Sequence, residues 1–112
     1  VYIADSDNNR VQAFDLDGSY LFQWGTAGAA DAQFNEPTSI SVDEHGYVFV
    51  VDEQNHRIQK FTSTGTHVAT FGGKGSGDGQ FDYPYGITVD PDEVVYVTDY
   101  ENARVQVWDP ER

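Results

Sequence analysis

The residues of this chain that could carry catalysis or hold a metal are few and scattered. Its histidines are His45, His56 and His67, and no cysteine is present. A zinc site needs three or four such ligands around one ion, but each histidine falls in a different predicted turn and is expected to be exposed. A hydrolytic triad of Ser39, His56 and Asp52 can be written, yet nothing marks Ser39 as an activated nucleophile. The sequence therefore predicts no catalytic residue and no metal site of this kind.

Two acidic turns resemble the start of a calcium-binding loop. They read DLDGSY at Asp15–Tyr20 and DSDNN at Asp5–Asn9. Neither has the glutamate that such a loop carries at its twelfth position. Ordinary turns are therefore favoured, weak Ca²⁺ association is the alternative, and no other cofactor is predicted. The glycine-rich stretch GGKGSGDGQ at 72–80 lacks the order of a phosphate-binding loop, and no helical pattern follows it.

One phrase occurs three times, at intervals of 47 residues. It reads DSDNNRVQAF, then DEQNHRIQKF, then DYENARVQVW. In each copy an Asp ends a predicted strand, where its carboxylate accepts hydrogen bonds from the following turn. An Arg opens the next strand, and its fork suits contacts to that carboxylate or to carbonyl groups of a neighbouring repeat. The predicted structural clamp consists of Asp5, Arg10, Asp52, Arg57, Asp99 and Arg104.

The repetition extends over the whole sequence. Residues 1–47 match residues 48–94 at 16 positions without a gap, and residues 95–112 begin a third, partial copy. Because the identities include turn glycines, two aromatic residues and the prolines that start one strand, they indicate a repeated structural unit. The chain is therefore predicted to be a single repeat-protein segment, 1–112.

A complete repeat contains four short strand patterns, A to D, and none shows a helical period. In the complete copy these are SISV, YVFVVD, RIQKF and HVATFG, with Gly65 predicted to have a positive φ in the last turn. Four antiparallel strands in a repeat of this length are typical of a β-propeller blade, which buries its faces only by stacking on its neighbours. The predicted aromatic wedges between blades are Phe14, Phe34, Phe61, Phe81 and Trp108.

The motif N-x-R-[VI]-Q-x-[FW], with QFxxPxxIxVD after a glycine-rich connector, closely resembles the NHL repeat. The resemblance covers essentially the whole chain and implies an all-β propeller, generally with six blades in a ring. One departure is Glu93, which stands where the preceding copy has Gly46 in the A–B turn, so another turn type is expected there. The resemblance implies three function classes: protein-interaction or sensor domains, RNA-binding domains and amidating-lyase-like enzymes.

The strand patterns divide into B-C-D, A-B-C-D and A-B-C, which makes ten strands. An open stack of this kind leaves two blade faces uncovered and strand edges exposed. We therefore expect the blades to be completed by further propeller blades or by further copies of the chain. Further blades of a longer chain are favoured, because ten strands do not divide into four-stranded blades.

The acidic composition limits the partners. The formal charge is −13, from 19 acidic and 6 basic side chains, and such a surface repels nucleic-acid backbones and anionic membranes. No apolar run approaches the roughly 20 residues of a membrane-spanning helix. A solvated acidic surface, adaptation to high salt and association with divalent cations are alternative explanations of the charge. The residues do not determine the compartment, and the resemblance, which includes extracellular sensor domains, favours an extracellular or cell-surface location.

Three tyrosines occupy connector and turn positions at which the preceding copy has no aromatic residue. They lie on the predicted top face, where B–C turns and D–A connectors meet. Tyrosine combines a rigid surface with a polar tip and suits binding interfaces; ordinary packing is the alternative. The candidate binding residues are Tyr83, Tyr85, Tyr100, Glu53 and His56. The predicted function is a non-catalytic scaffold whose top face binds a protein, peptide or glycan, and the alternative is a segment of an amidating-lyase-like enzyme with catalytic residues elsewhere.

Overall fold

The computed structural model describes residues 1–109, and its regular structure is almost entirely β-strand. The strands of this part of the chain are β1 Tyr2–Asp5, β2 Arg10–Phe14, β3 Tyr20–Trp24, β4 Thr26–Ala27, β5 Gln33–Phe34, β6 Pro37–Val42, β7 Val48–Asp52, β8 Arg57–Phe61, β9 His67–Gly72, β10 Pro84–Val89, β11 Val95–Asp99 and β12 Arg104–Trp108. Two single-turn 3-10 helices, Ser6–Asn8 and Glu53–Asn55, follow β1 and β7. Within residues 1–109, no helix has the length and apolar character needed to cross a membrane. Residues 110–112, the end of the predicted third repeat, lie outside the described residues.

Ten of these strands form three antiparallel sheets, which we call blades 1 to 3. Blade 1 has the order β1-β2-β3, blade 2 has the order β6-β7-β8-β9, and blade 3 has the order β10-β11-β12. Only blade 2 contains all four strands A to D; blade 1 shows B to D and blade 3 shows A to C. The predicted all-β fold of antiparallel propeller blades is confirmed.

The connectors between blades contain local pairing that the strand patterns did not predict. In the first connector β4 pairs in parallel with β5, and in the second a single parallel bridge joins Lys74 to Phe81. The amides of Gly28 and Gly75 donate equivalent hydrogen bonds to the carbonyls of Phe34 and Phe81, at 3.0 and 2.9 Å. Each connector therefore folds back on itself before the next A strand begins.

Strand β7 lies at the centre of the molecule and is buried on both faces. Val48 and Val50 pack toward blade 1, in a cluster that includes Val11. Phe49 and Val51 point to the opposite face and pack in a second cluster with residues of blade 3. This explains why the strand is a continuous apolar run: alternate side chains face opposite sides of a sheet, and here both sides are covered.

The predicted aromatic wedges lie between blades, with one exception. Phe34 packs against Phe61 with ring centroids 5.7 Å apart, and Phe81 packs against Trp108 at 5.1 Å. Phe14, at the same repeat position as Phe61, instead contacts its own blade. The wedge rings require glycine in the preceding strand end, because a Cβ on Gly25 or Gly72 would come within about 2.7 Å of a phenyl ring.

The A–B turn of blade 3 has the same geometry as that of blade 2, so the expectation of a different turn type was wrong. Glu93 adopts a φ of 66°, in the left-handed region that Gly46 occupies with a φ of 85°. Its amide donates to the Asp90 carbonyl at 3.0 Å, as Gly46 does to Asp43 at 3.2 Å. The predicted positive φ of Gly65 is confirmed at 91°.

The outer faces of blades 1 and 3 are partly apolar and exposed. Ile3 of blade 1 is 49% exposed, whereas Val50, at the same repeat position in blade 2, is fully buried. Val105 of blade 3 is 58% exposed, whereas its counterpart Ile58 is fully buried. The two outer faces thus correspond to the two opposite sides of one blade-to-blade interface.

Candidate binding site on the top face

The top face consists of the B–C turns, at residues 6–9, 53–56 and 100–103, and of the two connectors, at 25–36 and 73–83. Each B–C turn ends at a residue with a φ between 51° and 53°. Each connector ends in the same region, at Glu36 with a φ of 57° and at Tyr83 with a φ of 55°. Because these conformations recur at equivalent positions with different side chains, they belong to the blade and not to one particular site.

The clamp of blade 2 is centred on the buried carboxylate of Asp52. Arg57 Nε and Asn55 Nδ2 donate to Asp52 Oδ2 at 2.7 and 3.0 Å. The amide of Asn35 donates to the other carboxylate oxygen at 2.8 Å. The corresponding residues of blade 3 are Asp99, Arg104, Asn102 and Asp82.

The arginine of the clamp also attaches the connector that precedes its blade. The terminal nitrogens of Arg57 donate to the carbonyls of Ala29, Ala30 and Gln33 at 2.8, 2.9 and 2.9 Å. Arg104 makes the same three contacts with the second connector. One guanidinium therefore joins strand C, the buried carboxylate and the connector, a use for which its planar fork is suited.

In blade 1 only the inner part of the clamp is present. Arg10 Nε donates to Asp5 Oδ2 at 2.7 Å, but no carbonyl group within residues 1–109 accepts from its terminal nitrogens. The Arg10 side chain is 32% exposed, compared with 12% for Arg57 and 29% for Arg104. Its free donors lie where blades 2 and 3 receive a connector.

The hydrogen bonds of the clamp lower the pKa of two of its aspartates, Asp5 and Asp99. Bonds from Asn8 and Arg10 lower the pKa of the Asp5 carboxyl below its ordinary value. Burial raises the pKa of the Asp99 carboxyl, but hydrogen bonds from the Asp82 amide and from its Asn and Arg partners outweigh burial, so its pKa is also lowered.

His56 is buried and holds the backbone of Tyr83. Its Nδ1 accepts a hydrogen bond from the Tyr83 amide at 3.0 Å, so a neutral ring carries its proton on Nε2. The two rings also make an edge contact with centroids 4.6 Å apart. At the preceding junction Asn9 Oδ1 accepts from the Glu36 amide at 2.8 Å. His56 therefore supports the candidate site and does not line it, and the expectation of exposure was wrong for this residue.

The remaining candidate residues line one cavity between blades 2 and 3. Its volume is about 460 Å³, within the range of small-ligand pockets. We call it the tyrosine pocket, and its lining residues are Glu53, Tyr83, Tyr85, Tyr100 and Glu101. Tyr85 and Tyr100 are 59% and 71% exposed, and none of the three phenol hydroxyls makes a hydrogen bond within residues 1–109.

The junction between blades 1 and 2 offers a natural comparison. Its equivalent positions are occupied by Ser6, Glu36, Thr38, Glu53 and Gln54. This junction keeps acidic side chains but has no aromatic ring, and Ser6 Oγ donates to the carbonyl of Pro37. The aromatic lining is therefore particular to the junction between blades 2 and 3.

The other candidate residues have separate partners. His45 contacts Glu93, and His67, which is only partly exposed, lies 2.7 Å from Thr70 Oγ1. Within residues 1–109, no three His, Asp or Glu side chains are placed to hold one metal ion. Ser39 lies in β6, while His56 and Asp52 are engaged by Tyr83 and by the clamp.

The acidic turns are closed by their own backbone. Asp15 Oδ1 accepts hydrogen bonds from the amides of Asp17 and Ser19 at 3.1 and 3.0 Å. Asp17 Oδ1 accepts from Ser19 as well, at 3.0 Å, and its pKa is lowered, first by a side-chain hydrogen bond with Asp15. In the other turn, the Asp5 carboxylate binds Asn8 and Arg10.

A family comparison agrees with this architecture. The NHL repeat model matches residues 34–61 and 81–108, two stretches that together make half of the chain. The chain belongs to the NHL-repeat family. Each matched stretch begins at an aromatic wedge and runs through strands A, B and C of one blade, so the Asp–Arg pairs of blades 2 and 3 and the wedges between these blades fall within the matched stretches of the NHL chain.

Relatives and solved structures share this pattern in part. Protein brain tumor of Drosophila melanogaster is 38% identical over 42 residues, which are 38% of this NHL chain and 4% of that protein's length. A Bacteroides thetaiotaomicron protein of unknown function matches with a TM-score of 0.78 and 22% identity, over 95% of this chain and 31% of its own. An auxiliary nutrient binding protein from the same bacterium matches with a TM-score of 0.70 and 22% identity, over 95% of this chain and 33% of its own. A streptogramin B lyase matches with a TM-score of 0.68 and 15% identity, over 96% of this chain and 36% of its own. At these identities the structural matches show the propeller fold alone.

Sequence reasoning missed one lining residue of the tyrosine pocket. Glu101 follows Tyr100 in the third B–C turn, and its repeat counterpart is the neutral Gln54. The change from the Gln54 amide to the Glu101 carboxylate between copies could have identified this residue. The change did not stand out, because every B–C turn of this chain contains an acidic residue.

Proposed function

We propose that this NHL chain is a non-catalytic binding module, and that its tyrosine pocket receives a side chain of a protein or peptide partner. The observation that carries the proposal is the contrast between the two junctions. The Asp and Arg of the clamp are the same in all three copies, whereas the pocket positions gain three aromatic rings at one junction only. A difference that the fold does not need is best explained by a ligand at that junction.

The pocket has the physical properties of an interface anchor site. Exposed tyrosines provide contact area with few rotamers to immobilise, which makes them effective binding residues. Tyr83 is held in place by His56, and the backbone around Tyr85 is fixed by a bond from Thr38 Oγ1 to its carbonyl at 2.9 Å. The rings therefore stand on rigid strands and turns, which reduces the entropy cost of binding.

We also propose that further NHL blades cover the outer faces of blades 1 and 3. The support is that Ile3 and Val105 are exposed where their repeat counterparts are fully buried. Arg10 has free donors where Arg57 binds the carbonyls of a connector. A neighbouring blade with its connector would satisfy both the apolar face and the arginine.

The enzyme alternative rests on the similarity of this fold to a streptogramin B lyase. At 15% identity that similarity carries no residue of a mechanism to this chain. A stoichiometric transition metal in the purified protein, measured by mass spectrometry, would favour the enzyme over the binding module.

A peptide-display library and a glycan array would test the binding proposal. Each is screened with the wild-type chain, with the double variant Tyr85→Ser/Tyr100→Ser, and with Tyr20→Ser as a matched exposed tyrosine outside the pocket. We expect enriched peptides whose binding is lost in the double variant and retained in the control. Binding that survives the double variant, or specific binding on the glycan array alone, would contradict the proposal.

A further inference from the structure

We propose that the tyrosine pocket takes an organic cation, an alkylammonium or guanidinium group such as the end of a lysine or arginine side chain. This inference rests on the proposed binding function and adds the chemistry of the group that is bound. It follows from the composition of the lining: three phenol rings and two carboxylates, with no basic side chain.

The rings supply the first attraction. The face of an aromatic ring carries partial negative charge and attracts a cation within about 6 Å of its centroid. The chain already makes this contact elsewhere, where Lys60 Nζ lies 4.3 Å from the centre of the Tyr47 ring and 5.4 Å from that of the Phe49 ring. In the tyrosine pocket the largely exposed rings of Tyr85 and Tyr100 have no such cation among residues 1–109.

The carboxylates supply the second attraction. Glu53 comes from the B–C turn of blade 2 and Glu101 from that of blade 3, so the two charges stand on both sides of the junction. Glu53 accepts one hydrogen bond from Gln54 Nε2 at 3.1 Å, and the Glu101 carboxylate has no hydrogen-bond partner within residues 1–109. A bound cation would balance these two charges, and a primary ammonium or a guanidinium group would in addition donate hydrogen bonds to them.

Other ligand classes fit this lining less well. An anion would meet two carboxylates and a chain with a charge of −13. A metal ion prefers several oxygen ligands around a small space, whereas this cavity of about 460 Å³ is walled mainly by rings. The junction between blades 1 and 2 retains Glu36 and Glu53 without any ring, so the feature that distinguishes the pocket is aromatic and not acidic.

Choline and 3,3-dimethyl-1-butanol form a matched pair for the first test, because they have the same shape and differ only in the positive charge. Binding is followed during titration by the backbone amide NMR signals of residues 53–56, of Tyr83 and Tyr85, and of residues 100–101. We expect choline to shift these signals with a roughly millimolar dissociation constant and the neutral alcohol to leave them unchanged. Equal responses to the two compounds would overturn the inference.

Variants then test the named residues. Tyr100→Leu and Tyr85→Leu are each expected to weaken choline binding roughly three- to fivefold, and Glu101→Gln about twofold, with less effect at high salt. Tyr20→Leu is the control, since Tyr20 is also exposed but lies on blade 1. Unchanged affinity in all three pocket variants would overturn the assignment. The dispersion of the amide spectrum verifies that each variant is folded, and the choline comparison on the wild type needs no variant.

Two peptides identify the source of the cation. The peptide Ac-Gly-Lys-Gly-NH2 is compared with its Nε-acetyl-lysine form, again with signals of the pocket residues. Binding of the lysine peptide but not of its acetylated form supports a protein-borne cation. Binding of choline but not of the lysine peptide supports a small free cation and contradicts the proposed peptide partner. If display selects peptides that need the pocket tyrosines but contain no basic residue, the cation inference fails while the proposed function stands.

Discussion

The Tyr83 amide donates a hydrogen bond to His56 Nδ1 at 3.0 Å, across the junction between blades 2 and 3. Both residues have positive φ angles, 55° and 53°, so two left-handed residues on different blades fix each other. The same bond is made at the other junction by Glu36 and Asn9. The tyrosine pocket is thus built on a bond that the fold makes at both junctions, with an aromatic pair added at one of them.

Replacement of His56 by Asn should be tolerated, whereas replacement by Ala should not. Asn offers the acceptor that Asn9 provides at the other junction and is itself suited to a positive φ. Ala leaves the partly buried Tyr83 amide without an acceptor, which costs about 1–3 kcal/mol. Urea unfolding followed by circular dichroism should therefore place His56→Asn within about 0.5 kcal/mol of the wild type and His56→Ala well below it.

Ala103 shows that a loss of stability in His56→Ala would come from the missing acceptor and not from the backbone conformation. It occupies the same repeat position in blade 3 with a φ of 51°, which shows that alanine fits the conformation. Equal losses of stability in the Asn and Ala variants would mean that the imidazole ring, and not its acceptor nitrogen, holds the junction together.

The clamp arginines Arg57 and Arg10 should differ in their contribution to stability although they occupy equivalent positions. Arg57→Ala removes the positively charged partner of the fully buried Asp52 and frees three connector carbonyls, so we expect a loss of about 3 kcal/mol. Arg10→Ala removes only a partly exposed contact with Asp5, and exposed pairs contribute little. Urea midpoints of the two variants provide the measurement, and similar losses would show that a neighbouring element already engages Arg10.

The clamp illustrates how far the sequence predicts this molecule. The Asp and Arg of the clamp could be predicted from the sequence because their contact joins two side chains, and both residues recur every 47 positions. Carbonyl groups of a neighbouring repeat were predicted as partners of the arginines, but the particular carbonyls were not, since Arg57 binds those of Ala29 and Ala30 while Arg104 binds those of Ser76 and Gly77. Backbone acceptors leave no residue identity to read, and the same holds for the short parallel pairing in the connectors.

The candidate site likewise contains residues that could be predicted from the sequence and residues that could not. Tyr83, Tyr85 and Tyr100 could be grouped from their repeat positions, because strand order places connector and turn side by side. The role of His56 could not be predicted, as its ring serves as a substitute for an Asn side chain. Glu93 was misjudged for a related reason: local preference favours glycine at a φ of 66°, but the strands on either side impose the turn.

Acid should destabilise the wild type more steeply than it destabilises Asp99→Asn. The pKa of Asp99 is lower in the folded chain than in the unfolded one, so its contribution is complete above pH about 4 and is lost as pH falls through the folded pKa. Asn cannot ionise, so the variant starts from a lower stability at pH 7 and loses less below pH 4. Urea midpoints at pH 7, 5, 4 and 3 measure the difference. Parallel pH profiles would show that Asp99 does not contribute to acid unfolding.

Ile3 and Val50 allow a matched test of the outer face of blade 1, because they occupy the same position in adjacent copies. Val50 is fully buried between blades, so Val50→Ala should cost about 2 kcal/mol through lost burial and the cavity that remains. Ile3 is half exposed, so Ile3→Ala should change the free energy of unfolding by less than about 0.5 kcal/mol at low protein concentration. The measurement is urea unfolding of both variants at two protein concentrations. If another copy of the chain covers this face, the cost of Ile3→Ala will rise with concentration toward that of Val50→Ala; a small, constant cost would show that copies of this chain do not stack through blade 1.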